Sequence, residues 1–187
     1  MEIDSGSGRG YRKTLEKLFR RHGYEDYRWM NPKQVVVAPW VRMKCMFGCK
    51  NYGKCGTCPP NVPPVPECEA FFRGYKTGAV LHFTKRVAKP EDRHAWTRKV
   101  NLKLLDLERE VFLSGYYKAF LLFMDSCGLC TSCPGVREEC KQPRLARPTP
   151  ESMAVDVFAT VQKIRYPIQV LSDYSQEMNR YAFLLID

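Results

Sequence analysis

Apolar residues recur along this chain with two different periods, and the stretches that obey neither period are where its cysteines lie. From Tyr11 to Arg21, Leu15, Leu18 and Phe19 repeat at helical spacing among Lys and Arg, which predicts a short amphipathic helix. Val35 to Val41 is apolar and β-branched and predicts a strand that delivers Cys45 at its end. Glu67 to Tyr75 predicts a helix and Ala79 to Phe83 a buried strand. Between Asp92 and Leu113, the residues Trp96, Val100, Leu104, Leu107 and Val111 recur at spacings of three and four, a helix that ends before Gly115. Lys118 to Met124 predicts a strand running into Cys127. In Thr149-Pro150-Glu151-Ser152 a Thr N-cap, a first-position Pro and an acidic first turn predict a helix reaching about Ile164. Ile168 to Leu171 and Tyr181 to Ile186 close the chain as strands, in a hairpin around Asp173 to Asn179.

This alternation predicts an α/β or α+β fold: a mixed sheet flanked by helices, with two Cys-rich metal-binding loops that follow strands. Open sheets place their sites at the carboxyl ends of strands, so the two loops are expected near one another. Residues 1–10, with Ser-Gly-Ser-Gly, read as a disordered tail, and 11–187 as a single domain. The segment Cys45 to Pro66 holds five prolines and three glycines, which excludes a helix or a central strand there. So long a loop needs an organising agent, and a bound metal supplies one.

All nine cysteines fall in two sets. The first is Cys45, Cys49, Cys55 and Cys58 with Cys68 trailing; the second is Cys127, Cys130, Cys133 and Cys140. A disulfide framework is opposed by the odd number, by the lack of a signal-like opening and by C-x2-C-x2-C spacing, so a reducing cytoplasm is expected. An apolar content of 44% builds a core without disulfides, and the longest apolar runs, such as Phe120 to Met124, are too short to cross a bilayer. No membrane association is expected.

The formal charge of +10 raises the question of nucleic acid. It counts thiols as neutral, however, and a four-thiolate [4Fe-4S] cluster carries about −2 when oxidised, so two centres remove about four units. Charge alone does not argue for a nucleic-acid partner. Arg137, Lys141, Arg144 and Arg147 lie close to the second set in sequence, either to compensate a cluster or as ordinary solvated charges.

The second set repeats the C-x2-C-x2-C grammar of bacterial ferredoxins with a local fourth thiol, and Gly128 and Gly135 permit tight turns between ligands. That grammar favours [4Fe-4S] over zinc, since zinc knuckles come as separated pairs. In the first set Cys45, Cys49 and Cys58 form a long-armed triad with Cys55 as fourth ligand. Cys68 is the alternative ligand, or else a buried thiol at the start of a helix. Three thiols alone would leave one iron open to substrate. A structural zinc on Cys45, Cys49, Cys55 and Cys58 is the competing arrangement.

Little else carries chemistry. His82, inside a predicted strand, reads as packed rather than ligating, and Trp29, Trp40 and Trp96 as core. There is no P-loop, dinucleotide fingerprint or GxSxG elbow. Cys45-x3-Cys49 begins like the radical S-adenosylmethionine pattern but fails at its third ligand, where Tyr52 stands. Asn51 and Tyr52 either hydrogen-bond to the site or lie on the surface.

The runs Val-Arg-Met-Lys-Cys45, Cys49-x-Asn51-Tyr52-Gly53 and Cys58-Pro59-Pro60, with Cys127-x2-Cys130-x2-Cys133 and Cys140-x2-Pro143-x3-Arg147-Pro148, resemble one family. It is the predicted metal-binding proteins called domain of unknown function 2284, found mainly in anaerobic bacteria and archaea. The resemblance covers nearly the whole chain after the tail. It implies a Cys-rich, cytoplasmic, iron–sulfur protein and no particular reaction. Cys45, Cys49, Cys58 and the four late cysteines match the family pattern, while Cys55 and Cys68 are additions to it.

The expectation is therefore an iron–sulfur protein with two [4Fe-4S] clusters, acting in electron transfer with a redox partner protein or as redox accessory to a partner enzyme. The alternatives are an enzyme using an open iron on the first cluster and a zinc-stabilised binding module. Neither the electron partner nor an oligomeric state is legible.

Overall fold

The computed structural model describes residues 10–173 and 175–187. The expected tail lies outside them, apart from Gly10, which opens the first helix. Along the chain run α1 (Gly10–Arg21), β1 (Tyr27–Met30), a 3-10 turn (Pro32–Gln34), α2 (Pro39–Gly48), α3 (Val65–Arg73), β2 (Gly78–Lys85), α4 (Pro90–Leu113), β3 (Phe120–Leu122), α5 (Val157–Lys163) and β4 (Met178–Leu185).

The strands form one sheet in the order β1-β2-β4-β3, and every neighbouring pair is antiparallel. Its centre is the β2–β4 ladder, in register from Gly78 opposite Leu185 to Lys85 opposite Met178. The pleat sends alternate side chains to opposite faces. Ala79, Leu81, Leu121, Ala182 and Leu184 pack with Leu15 and Phe19 of α1 and with Leu104, Leu107 and Val111 of α4. Val80, Leu122, Phe183 and Leu185 pack on the other side with Phe72 of α3 and Val161 of α5. Both faces are covered, which is why Leu121 to Met124 and Tyr181 to Ile186 are apolar without alternation. Each fully buried Leu or Phe among them contributes roughly 1.5–3 kcal/mol. No helix among the described residues is long and apolar enough to cross a membrane.

Helices therefore flank a sheet, as the pattern predicts, but three local expectations are overturned. Val35 to Val41 is not a strand: only Val37 makes an isolated bridge, to Val155, and the chain turns into α2 at Pro39. Proline's fixed φ suits the first helical position, so Cys45 sits on a helix rather than at a strand end. The helix expected from Pro150 starts at Val157. Thr149 and Ser152 do form reciprocal bonds, Ser152 N donating to Thr149 Oγ1 (3.1 Å) and Thr149 N to Ser152 Oγ (2.9 Å), but they close only a turn. Ala154, at φ 60°, breaks it, and Asp156 then caps α5 by accepting from Ala159 N at 2.9 Å. Ile168 to Leu171 is irregular, because both edges of β4 are already taken by β2 and β3. Trp40 is also not core: it is 46% exposed near the start of α2, while Trp29 and Trp96 are half-buried.

Candidate metal centres

The second cysteine set is held by one helix. Past β3, the buried Asn101 of α4 donates from Nδ2 to Met124 O (3.2 Å) and Ser126 O (3.0 Å) and accepts from Met124 N at 3.3 Å. One helical turn earlier, Thr97 Oγ1 donates to Asp125 Oδ2 (2.8 Å), and Arg98 reaches Leu129 O at 3.3 Å. Farther along α4, buried Glu108 accepts from Leu121 N (2.8 Å) and pairs with Arg147, Nη2 lying 2.9 Å from Oε2. Both ends of the loop, near Leu121 and at Arg147, are thus fastened to α4. The charge of Arg147 is spent on Glu108, not on the cysteines, and Arg137 donates to Pro143 O at 3.0 Å. Of the four basic residues, Lys141 borders the site.

Cys127, Cys130, Cys133 and Cys140 wall a cavity of about 50 Å³, and Cys55 from the first set joins them. A single water needs only ~10–15 Å³. Gly128 (φ 56°) and Gly135 (φ 89°) supply the left-handed turns between the thiols. Among the described residues no group of three or more His, Cys, Asp or Glu is placed to hold a metal ion. The late cysteines instead stand around a void, with Leu129 and Ala146 also on its wall. All nine cysteines are free thiols.

The first loop leans on the second. Asn61 Nδ2 donates to Gly135 O (2.7 Å) and to Cys55 O (3.2 Å), and its Oδ1 accepts from Arg137 N at 3.3 Å. A side chain on Gly135 would stand 3.0 Å from Gly53 O, so the two loops touch backbone to backbone. Cys55 lies where they meet. The hydrogen bond from Cys58, then those from Thr57 and Cys133, push its thiol down to about 5. Sharing that same bond pushes Cys58 up, so the two titrate as a pair with Cys58 holding the proton. Cys58 also feels Cys45 and Cys49, while burial, followed by Cys49, raises the Cys45 thiol. Cys45, Cys49 and Cys58 therefore share one neighbourhood, and Cys55 stands between it and the late set, hydrogen-bonded to Cys58 while lining the late cavity. Cys68 belongs to neither: fully buried on α3, it donates to Pro63 O at 3.3 Å, and burial raises its thiol.

Cys45 and Cys49 also border a second cavity, an open cleft of about 460 Å³ walled by α2, α5 and β4. His82 is packed, as expected: Nδ1 lies 2.6 Å from Asp26 Oδ2, Nε2 lies 2.8 Å from Asn179 Oδ1, and the ring stacks on Tyr181.

A family model described as predicted metal-binding protein (DUF2284) matches residues 28–186. The chain belongs to that family. No curated relative and no solved structure matches it. Metal binding is thus the property predicted for the family to which this DUF2284 chain belongs. The residues that sequence reading missed are Thr97, Asn101, Glu108 and Asn61, which hold the cysteine loops in place. Their signal was present on α4, where Thr97, Asn101 and Glu108 place polar groups on the buried face of an apolar helix.

Proposed function

We propose that this DUF2284 protein carries two [4Fe-4S] centres and exchanges electrons with a partner protein. The observation that carries the reading is the void walled by five thiols. The donor set fits: it is sulfur alone, and the space exceeds what one ion fills. Four thiolates about ~2.3 Å from a zinc would close on the ion and leave no such room. Cys127, Cys130, Cys133 and Cys140 would hold one centre and Cys45, Cys49 and Cys58 the other, with Cys55 between them. The clusters supply one-electron chemistry. The chain supplies the setting: Leu129 and Ala146 give the cavity wall apolar surface beside the late thiols, and the cation of Lys141 favours an added electron there. Phe47 (79% exposed) and Met43 (51%) on α2 offer a partner an apolar contact beside Cys45. Nine free thiols suit a reducing, cytoplasmic setting.

A second reading, catalysis at an open iron of the first centre, is favoured by one observation: Cys45 and Cys49 face the cleft while Cys55 faces away from it. Anaerobic purification followed by iron, acid-labile sulfide and zinc quantification tests the proposal. It expects about eight irons and eight sulfides per chain. About two zincs with negligible iron would overturn it in favour of a zinc-stabilised module.

A further inference from the structure

The cleft beside Cys45 and Cys49 has no role in electron exchange, yet it is built like a ligand site. Its volume of about 460 Å³ lies in the range of ~300–1,000 Å³ usual for small-molecule pockets. Trp40 from α2 and Phe158 from α5, both exposed large apolar side chains, are lining residues. Exposed aromatics that border one cleft are explained by a ligand that covers them.

The polar groups specify what that ligand carries. Arg180 is occupied, its Nε 2.8 Å from Asp125 Oδ1, and Arg93 approaches the same carboxylate at 3.7 Å. Asp156 is the cap of α5, and Asn179 Oδ1 faces His82. Two charges on the cleft wall remain with neither an ion-pair partner nor a capping role among the described residues, Lys44 and Glu151. Lys44 is oriented by Trp40, its Nζ 5.1 Å from the ring centroid. Glu151 meets water at the cleft and is walled by protein elsewhere. A purely cationic ligand would leave Lys44 unanswered, and a purely anionic one would leave Glu151 so.

We propose that this cleft binds a zwitterion of amino-acid type, its carboxylate on Lys44 and its ammonium on Glu151. The Cys45 and Cys49 thiols then lie beside the bound molecule, so the inference rests on the two-centre reading for what happens next, but not for binding itself. Titration calorimetry with each standard α-amino acid, on anaerobically prepared protein of measured iron content and on metal-free protein, tests it. At least one amino acid binds the iron-loaded protein with one-to-one stoichiometry. Lys44→Met and Glu151→Gln each weaken that binding about tenfold or more, the usual effect of losing a charged hydrogen bond. On unaltered protein, the amine lacking the carboxylate and the keto acid lacking the ammonium each bind about tenfold more weakly, a readout that holds even where a variant fails to fold. Iron-loaded protein that binds no amino acid overturns the inference, as does an amine or keto acid that binds equally well. Protein that binds an amino acid but contains no iron leaves the cleft assignment standing and refutes the two-centre reading instead.

Discussion

The two cysteine regions place the same side chain in different surroundings, one around a small cavity and one beside an open cleft. The late loop is pinned at both ends to α4 and gathers its thiols around a small cavity, with Cys127 buried in the core that covers one face of the sheet and Cys133 exposed. The early region hangs from the exposed helix α2, leaves Cys49 at the surface and opens on the cleft. A thiol set gathered around a small cavity against the core suits storage and relay of an electron, whereas one set beside a wide cleft suits contact with something outside the protein. The structural cost of the late site falls on α4; the early site borrows its rigidity from the late one through Asn61 and Gly135.

That asymmetry can be broken first at its strongest anchor. Glu108→Ala strands Arg147 and the Leu121 amide, and removing one partner of a buried ion pair costs about 3–5 kcal/mol, read by urea unfolding. Gly135→Ala strikes the contact between the loops. A left-handed φ costs a side chain about 1–2 kcal/mol, and its Cβ also meets Gly53 O at 3.0 Å. Unfolding should show at least that loss, together with iron loss from both centres rather than one. Phe47→Ala, on the early side, should change stability by no more than about 0.5 kcal/mol, because the ring is exposed, while slowing electron exchange with the partner.

The smallest effect depends on pH. Burial raises the Glu151 carboxyl above its ordinary value of 4.5, so its contribution to stability is fully present below that value and is lost as pH rises through the folded value. Glu151→Gln should therefore melt higher than the native protein at neutral pH, and the gain should vanish as pH falls below 4.5. A gain that persists in acid would contradict this assignment.

Periodicity revealed most of the fold. The α4 stripe of Leu104, Leu107 and Val111 and the apolar runs of β2 and β4 were plain because burial on a sheet face demands them. The Val35–Val41 and Thr149–Ile164 readings failed where local geometry overrode pattern: Pro39 began a helix that β-branched residues seemed to forbid, and Ala154 at φ 60° interrupted a well-formed start. For the site, spacing marked two sets of cysteines but not how the sets meet. Cys55 is near Cys58 in sequence, yet the Asn61 staple and the glycine contact bring it to the late thiols, a tertiary event that no local spacing records. Likewise Arg147, which the sequence left open between compensating a cluster and an ordinary solvated charge, is paired with Glu108, remote in sequence.

The proposed difference between a late centre with four thiolates and an early one with three is most directly tested by Mössbauer spectroscopy of protein reconstituted anaerobically with ⁵⁷Fe. The account predicts two [4Fe-4S] signals, with one iron in about eight distinct from the rest because it lacks a thiolate, and predicts that Cys58→Ala abolishes the signal containing that iron while sparing the other. Two clusters with every iron equally thiolate-bound, or no cluster at all, would contradict it.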